Sequence, residues 1–60
     1  MTRSAVLALL RGYIRGWRID PYDAGLVLER VPKEGVDKET LGDFLDGQGY
    51  PELAAEVYEL

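Results

Sequence analysis

Apolar side chains recur at helical spacing in four separate stretches of this chain. Over residues 5–17, Val6, Leu7, Leu10, Tyr13, Ile14 and Trp17 fall in one arc about 120° wide when residues are set 100° apart. Arg11, Arg15 and Arg18 gather beside that arc with Ser4. Ala5, Leu9, Gly12 and Gly16 make a third strip, mostly of small residues. Ser4 is a favourable N-cap for this helix. A second helix opens at Asp20-Pro21, with Asp as cap, Pro at the first helical position and Asp23 near the positive end of the dipole. Ala24, Val27, Leu28 and Val31 share its inner face. The run from Gly25 to Val31 would also suit a strand, but the Asp-Pro start decides for helix, and Pro32 ends it.

Lys33-Glu34-Gly35-Val36 reads as a surface turn. Asp37 then caps a third helix that runs through Asp46 and sets Leu41, Phe44 and Leu45 on one side. Gly47 and Gly49 are expected to supply the positive-φ positions that close it. Pro51-Glu52 begins a fourth helix with Leu53, Val57 and Leu60 on one face. Glu56 and Glu59 sit near its negative end, so either the helix runs on or a basic neighbour covers it. The pattern therefore predicts an all-α fold with one domain over residues 1–60. Four short helices form two αα-hairpins, about 4–31 and about 37–60, joined by a turn at 32–36 and bent back at Gly16 and Gly47.

The two halves also align with each other. Leu10, Tyr13, Ile14, Gly16, Ile19, Pro21, Ala24, Val27 and Glu29 match Leu41, Phe44, Leu45, Gly47, Tyr50, Pro51, Ala54, Val57 and Glu59, and six of the nine pairs are identical. Either the chain carries an internal repeat, or two helical hairpins have placed Leu, Gly and Pro alike. Arg15-Gly16-Trp17-Arg18-Ile19 resembles the hairpin turn of tetratricopeptide and pentatricopeptide repeats. Residues 29–36 resemble their inter-repeat turn, although the period here is shorter than the roughly 34 residues of the former class. The resemblance implies a binding surface built from stacked hairpins, for peptide in one class and for single-stranded RNA in the other. It assigns no binding residue.

Composition narrows the chemistry. There is no His and no Cys, which removes the commonest general base, thiolate nucleophiles, disulfides and the usual zinc ligands. Neither phosphate-binding glycine motif occurs, and the lone serine, Ser4, lies outside any nucleophile elbow. Asp20 with Asp23, and Glu39 with Asp43 and Asp46, are the only close carboxylate groups. They lack the calcium-loop pattern and read as caps and a solvated face. The expectation is a non-enzymatic chain with no cofactor and no metal. The longest uncharged run, Ser4–Leu10, is far short of the roughly 20 residues of a membrane span. Arg11 breaks its likeness to a signal peptide, so a cytoplasmic protein is expected. Absence of Asn and Cys with plentiful charge suits a thermostable or an engineered sequence.

Seven Lys and Arg against eleven Asp and Glu give a net charge of −4. All four cations of residues 1–18 are arginines without a neighbouring acid, whereas residues 19–60 hold every acid and only three cations. A basic end and an acidic body can attract each other within one chain or between copies. The Arg11, Arg15 and Arg18 strip beside Trp17 could hold phosphates or bases, or be a solvated face paired with the chain's own acids. Gly12 and Gly16 allow close helix approach, either inside the fold or to a second chain. Tyr22, Leu26 and Tyr58 lie off the main apolar faces and, with Trp17, could form an anchor patch. These residues together predict a protein-binding or regulatory module that can self-associate. The alternatives are nucleic-acid binding through the arginine strip and acidic mimicry of nucleic acid toward a basic partner.

Overall fold

The computed structural model describes all 60 residues and contains four helices and no strand. They are α1 (Arg3–Arg15), α2 (Pro21–Glu29), α3 (Lys38–Gly47) and α4 (Pro51–Tyr58). α1 pairs with α2 and α3 with α4, so the two expected hairpins are present. The run that could have been a strand lies in α2 as far as Glu29, with Arg30 and Val31 beyond the helix end; the Asp20 carboxylate accepts from the Tyr22 N–H at 2.8 Å and Pro21 takes the first helical position. Asp37 caps α3 by accepting from both the N–H and the hydroxyl of Thr40, at 3.2 and 2.7 Å.

α1 begins earlier than its sequence suggests. Thr2, not Ser4, is the N-cap, its hydroxyl accepting from the Ala5 N–H at 3.1 Å. The earlier start lets the Arg3 guanidinium donate to the carbonyls of Leu28 and Val31, at 2.9 and 2.6 Å. Those carbonyls belong to the end of α2 and its exit, where a cation satisfies orphan acceptors and opposes the dipole. The helix also ends earlier, at Arg15. Trp17 therefore leaves the apolar arc and does not enter the core.

Both hairpin turns are Schellman motifs; Gly49 takes the left-handed position expected of it in the second, whereas in the first that position falls on Trp17. In the first, Arg18 N–H bonds Tyr13 C=O at 2.9 Å and Trp17 N–H bonds Ile14 C=O at 3.1 Å. In the second, Tyr50 N–H bonds Leu45 C=O at 3.0 Å and Gly49 N–H bonds Asp46 C=O at 3.1 Å. The residues at positive φ are thus Trp17 (56°) and Gly49 (94°), with Gly35 (96°) in the inter-hairpin turn. Gly16 has φ −86° and Gly47 is helical, so neither makes the bend. The first turn holds five residues, Gly16 to Asp20, against three in the second, Gln48 to Tyr50. The extra length lowers Ile19 into the core.

Twelve buried apolar side chains from all four helices and their connections form one cluster, and no polar side chain is buried in it. Leu10, Leu45 and Leu53 are its largest fully enclosed members. The radius of gyration, 10.1 Å, is close to the ~10.4 Å of a compact chain this long. Hairpin 2 closes most tightly at Gly42, which the Tyr58 ring covers so closely that a Cβ there would overlap it. Gly12, by contrast, faces open space, so the Gly12/Gly16 strip is not a close-packed seam inside the fold. Gly12→Ala should therefore raise the thermal midpoint through a helix-propensity gain of up to about 1 kcal/mol. Gly42→Ala should lower it by displacing Tyr58, and paired melting curves of the two variants check both signs.

Candidate functional site

Both hairpin turns lie at the same end of the molecule, and the side chains there are tied together by polar contacts. Arg18 lies over the Tyr13 ring, 4.3 Å from its centre, and its guanidinium pairs with Glu52 at 2.5 Å. The Tyr13 hydroxyl donates to Glu56, so an aromatic alcohol rather than a base meets the acidic end of α4. The Tyr50 hydroxyl donates to Asp23, joining the second turn to the first turn of α2. These contacts fasten hairpin 1 to hairpin 2 and hold the backbone on both sides of Trp17.

Trp17 stands out from this frame. The residue is 91% exposed and its backbone is left-handed, a combination that folding does not favour. In that region an L-residue other than Gly costs roughly 1–2 kcal/mol. Leaving an indole in water also forgoes on the order of 4 kcal/mol of apolar burial. Trp17 borders a shallow hollow of about 380 Å³ with Arg18, Ile19, Asp20, Pro21 and Tyr50. A second hollow, of about 350 Å³, adjoins it and shares Arg18 and Tyr50.

The arginine strip is divided. Arg11 and Arg15 are exposed on α1 with no acid in reach, and the Arg18–Glu52 contact is the one ion pair in the molecule. Arg18 has turned across the second hairpin, because the Schellman cap swings it off the helix axis. Gly12 and Gly16 lie exposed beside Arg11 and Arg15. Tyr22 is 74% exposed and Leu26 half-buried on α2, and neither lines the Trp17 hollow. Tyr58 is 39% exposed and is committed to hairpin 2, its ring on Gly42 and its hydroxyl donating to Asp43. The structure thus brings Trp17 and Arg18 together and leaves Tyr22, Leu26 and Tyr58 apart from them.

Three phenol–carboxylate pairs, Tyr13–Glu56, Tyr50–Asp23 and Tyr58–Asp43, were not evident from the sequence. Only Tyr58–Asp43 joins neighbouring helices of one hairpin; the others need the two hairpins already docked. The hydrogen bond to Asp23, helped by burial and nearby acids, raises the Tyr50 phenol above its usual range. The Tyr58 phenol is pushed up to about 12, chiefly by its hydrogen bond to Asp43 and further by desolvation and the charges of Asp43, Asp46 and Glu39. The two Thr40 donors hold the Asp37 carboxyl below its ordinary value, hydroxyl first and N–H second. No three acidic side chains converge as a metal-binding group, and no helix is long and apolar enough to cross a membrane. Neither a protein-family model nor a curated protein nor a solved structure matches the chain.

A phenol raised by a carboxylate partner stabilises the fold below the unfolded-state value near 10, and that contribution is lost as pH rises through the folded value. Ultraviolet titration of the tyrosines should therefore show a late ionisation at about pH 12 from Tyr58. Tyr58→Phe should remove that step alone, whereas an unchanged late phase would place the raised phenol elsewhere.

Proposed function

We propose that the chain is a non-enzymatic protein-binding module whose recognition surface centres on Trp17 and the hollow beside it. The supporting observation is the exposed indole on a left-handed backbone. Hairpin 2 solves the same turn with Gly49, so the fold has a less costly solution for that position and hairpin 1 does not use it. Aromatic anchors of this kind dominate binding energy because they bury a large apolar area with few rotors. The rim of the hollow carries Asp20 and Arg18, whose partner Glu52 lines the adjoining hollow, and these charges would orient a partner rather than supply most of its affinity.

Nucleic-acid binding through Arg11, Arg15 and Arg18 is less well supported. Arg18 already spends its charge on Glu52 and its planar face on Tyr13, which leaves two free guanidiniums on α1. Two phosphate contacts, on a chain of net charge −4, would give weak attachment with only a shallow salt dependence. Acidic mimicry rests only on the charge of residues 19–60.

Wild-type and Trp17→Gly proteins, immobilised in parallel and offered the same cell lysate, test the reading. Both should keep equal helicity by circular dichroism. A partner held by the wild type should be lost from Trp17→Gly, whereas a partner recovered equally by both would place recognition elsewhere.

A further inference from the structure

Like the arginines of α1, the acids of α3 have no ion-pair partner in the same copy, although Asp43 accepts from the Tyr58 hydroxyl. Glu39, Asp43 and Asp46 are spaced to share the outer side of α3, all three are exposed, and no cation reaches them. Arg11 and Arg15 are one turn apart on the outer side of α1, at the same i, i+4 spacing as Glu39 and Asp43. Neither set is compensated within one copy. Adjoining the acidic side of α3 is a small slot of about 130 Å³ lined by Arg30, Val36, Thr40, Leu41 and Phe44. The Arg30 guanidinium sits 4.8 Å from the centre of the Phe44 ring in its wall.

We infer that the partner seated on Trp17 is a second copy of this chain. Trp17 of one copy enters the slot beside Phe44 of the other, while Arg11 and Arg15 meet the Glu39, Asp43 and Asp46 face. This rests on the reading of Trp17 as an anchor and adds its occupant. The two surfaces match in kind. One presents an aromatic knob with cations along the preceding helix, and the other a slot walled by Val36, Leu41 and Phe44 with Arg30 and Thr40 at its edge and anions along α3 beside it. Burial of the indole supplies most of the attraction, since exposed ion pairs contribute little on their own. The ion pairs fix the register and reject copies docked wrongly. Arg30 in the slot wall adds a guanidinium against which the incoming indole can stack. Two copies each of charge −4 repel at long range, and physiological salt confines that repulsion to about 8 Å.

Sedimentation equilibrium of the full chain at physiological salt, from micromolar to millimolar protein, tests the pairing. Emission from Trp17, the one tryptophan, is followed in parallel. The wild type should gain mass with concentration as its emission shifts to the blue, and Trp17→Gly should stay monomeric. Arg11→Glu/Arg15→Glu and Glu39→Lys/Asp46→Lys should each be monomeric alone and associate when mixed, because each then offers the charge that the other has lost. Circular dichroism confirms that every variant is folded. A wild type monomeric throughout overturns the second copy as occupant, and leaves the Trp17 anchor to be judged by its capture of a different protein. Association that survives in Trp17→Gly overturns the knob itself. Association of either charge variant alone at wild-type strength overturns the register. A gel shift with nucleic acid, in a chain that stays monomeric, assigns Arg11 and Arg15 to phosphate and overturns the proposal as well.

Discussion

Helices of 8 to 13 residues do not hold their shape alone in water, so everything in this molecule depends on burying one shared cluster of twelve apolar side chains. A 60-residue chain hides only about 60% of the surface that its unfolded form exposes, which leaves little excess. Polar devices at the helix ends therefore carry unusual weight. Thr2, Asp20 and Asp37 satisfy N–H groups at three helix starts, and Arg3 reaches across to the carbonyls at the end of α2. The hairpins are then fastened at their common end by Arg18–Glu52, Tyr13–Glu56 and Tyr50–Asp23.

That fastening bears on Trp17. An uncommon backbone conformation persists only where the surroundings over-determine it. Here the Schellman hydrogen bonds fix Trp17 from one side, and the pinned Arg18 side chain fixes it from the other. The same frame that holds the hairpins together thus presents the indole to solvent in a set direction. Preorganisation of this kind lowers the ordering cost of binding.

Much of the architecture was legible in the chain, for reasons of local chemistry. Asp20-Pro21, Asp37 and Pro51 are start signals whose effect needs no tertiary partner, and the spacing of Leu10, Leu41, Leu45 and Val57 marked buried faces directly. The misses were of another sort. Ser4 and Thr2 are both competent caps, and the choice between them turns on where Arg3 lands some 25 residues away along the chain. Gly16 and Gly47 looked like the bends because glycine tolerates positive φ at least cost, yet the hydrogen-bond register put Trp17 there in the first turn and, of the two glycines expected in the second, Gly49 alone. That shift removed Trp17 from the apolar arc and Arg18 from the arginine strip. Which charges stay free is a property of packing, so the strip could be seen in the sequence but its division could not. Tyr58 looked like an exposed anchor because its partner, bare Gly42, shows no side chain to predict the contact.

The central claim is that Trp17 serves something outside the fold and weakens the fold that carries it. The most direct measurement is the unfolding free energy of Trp17→Gly against wild type in urea, at protein dilute enough that both are monomeric. Relief of the left-handed strain should leave the glycine variant more stable by roughly 1 kcal/mol with an unchanged denaturant slope. A glycine variant that unfolds more readily would show that the indole is a structural member of the hairpin, and the account would fail.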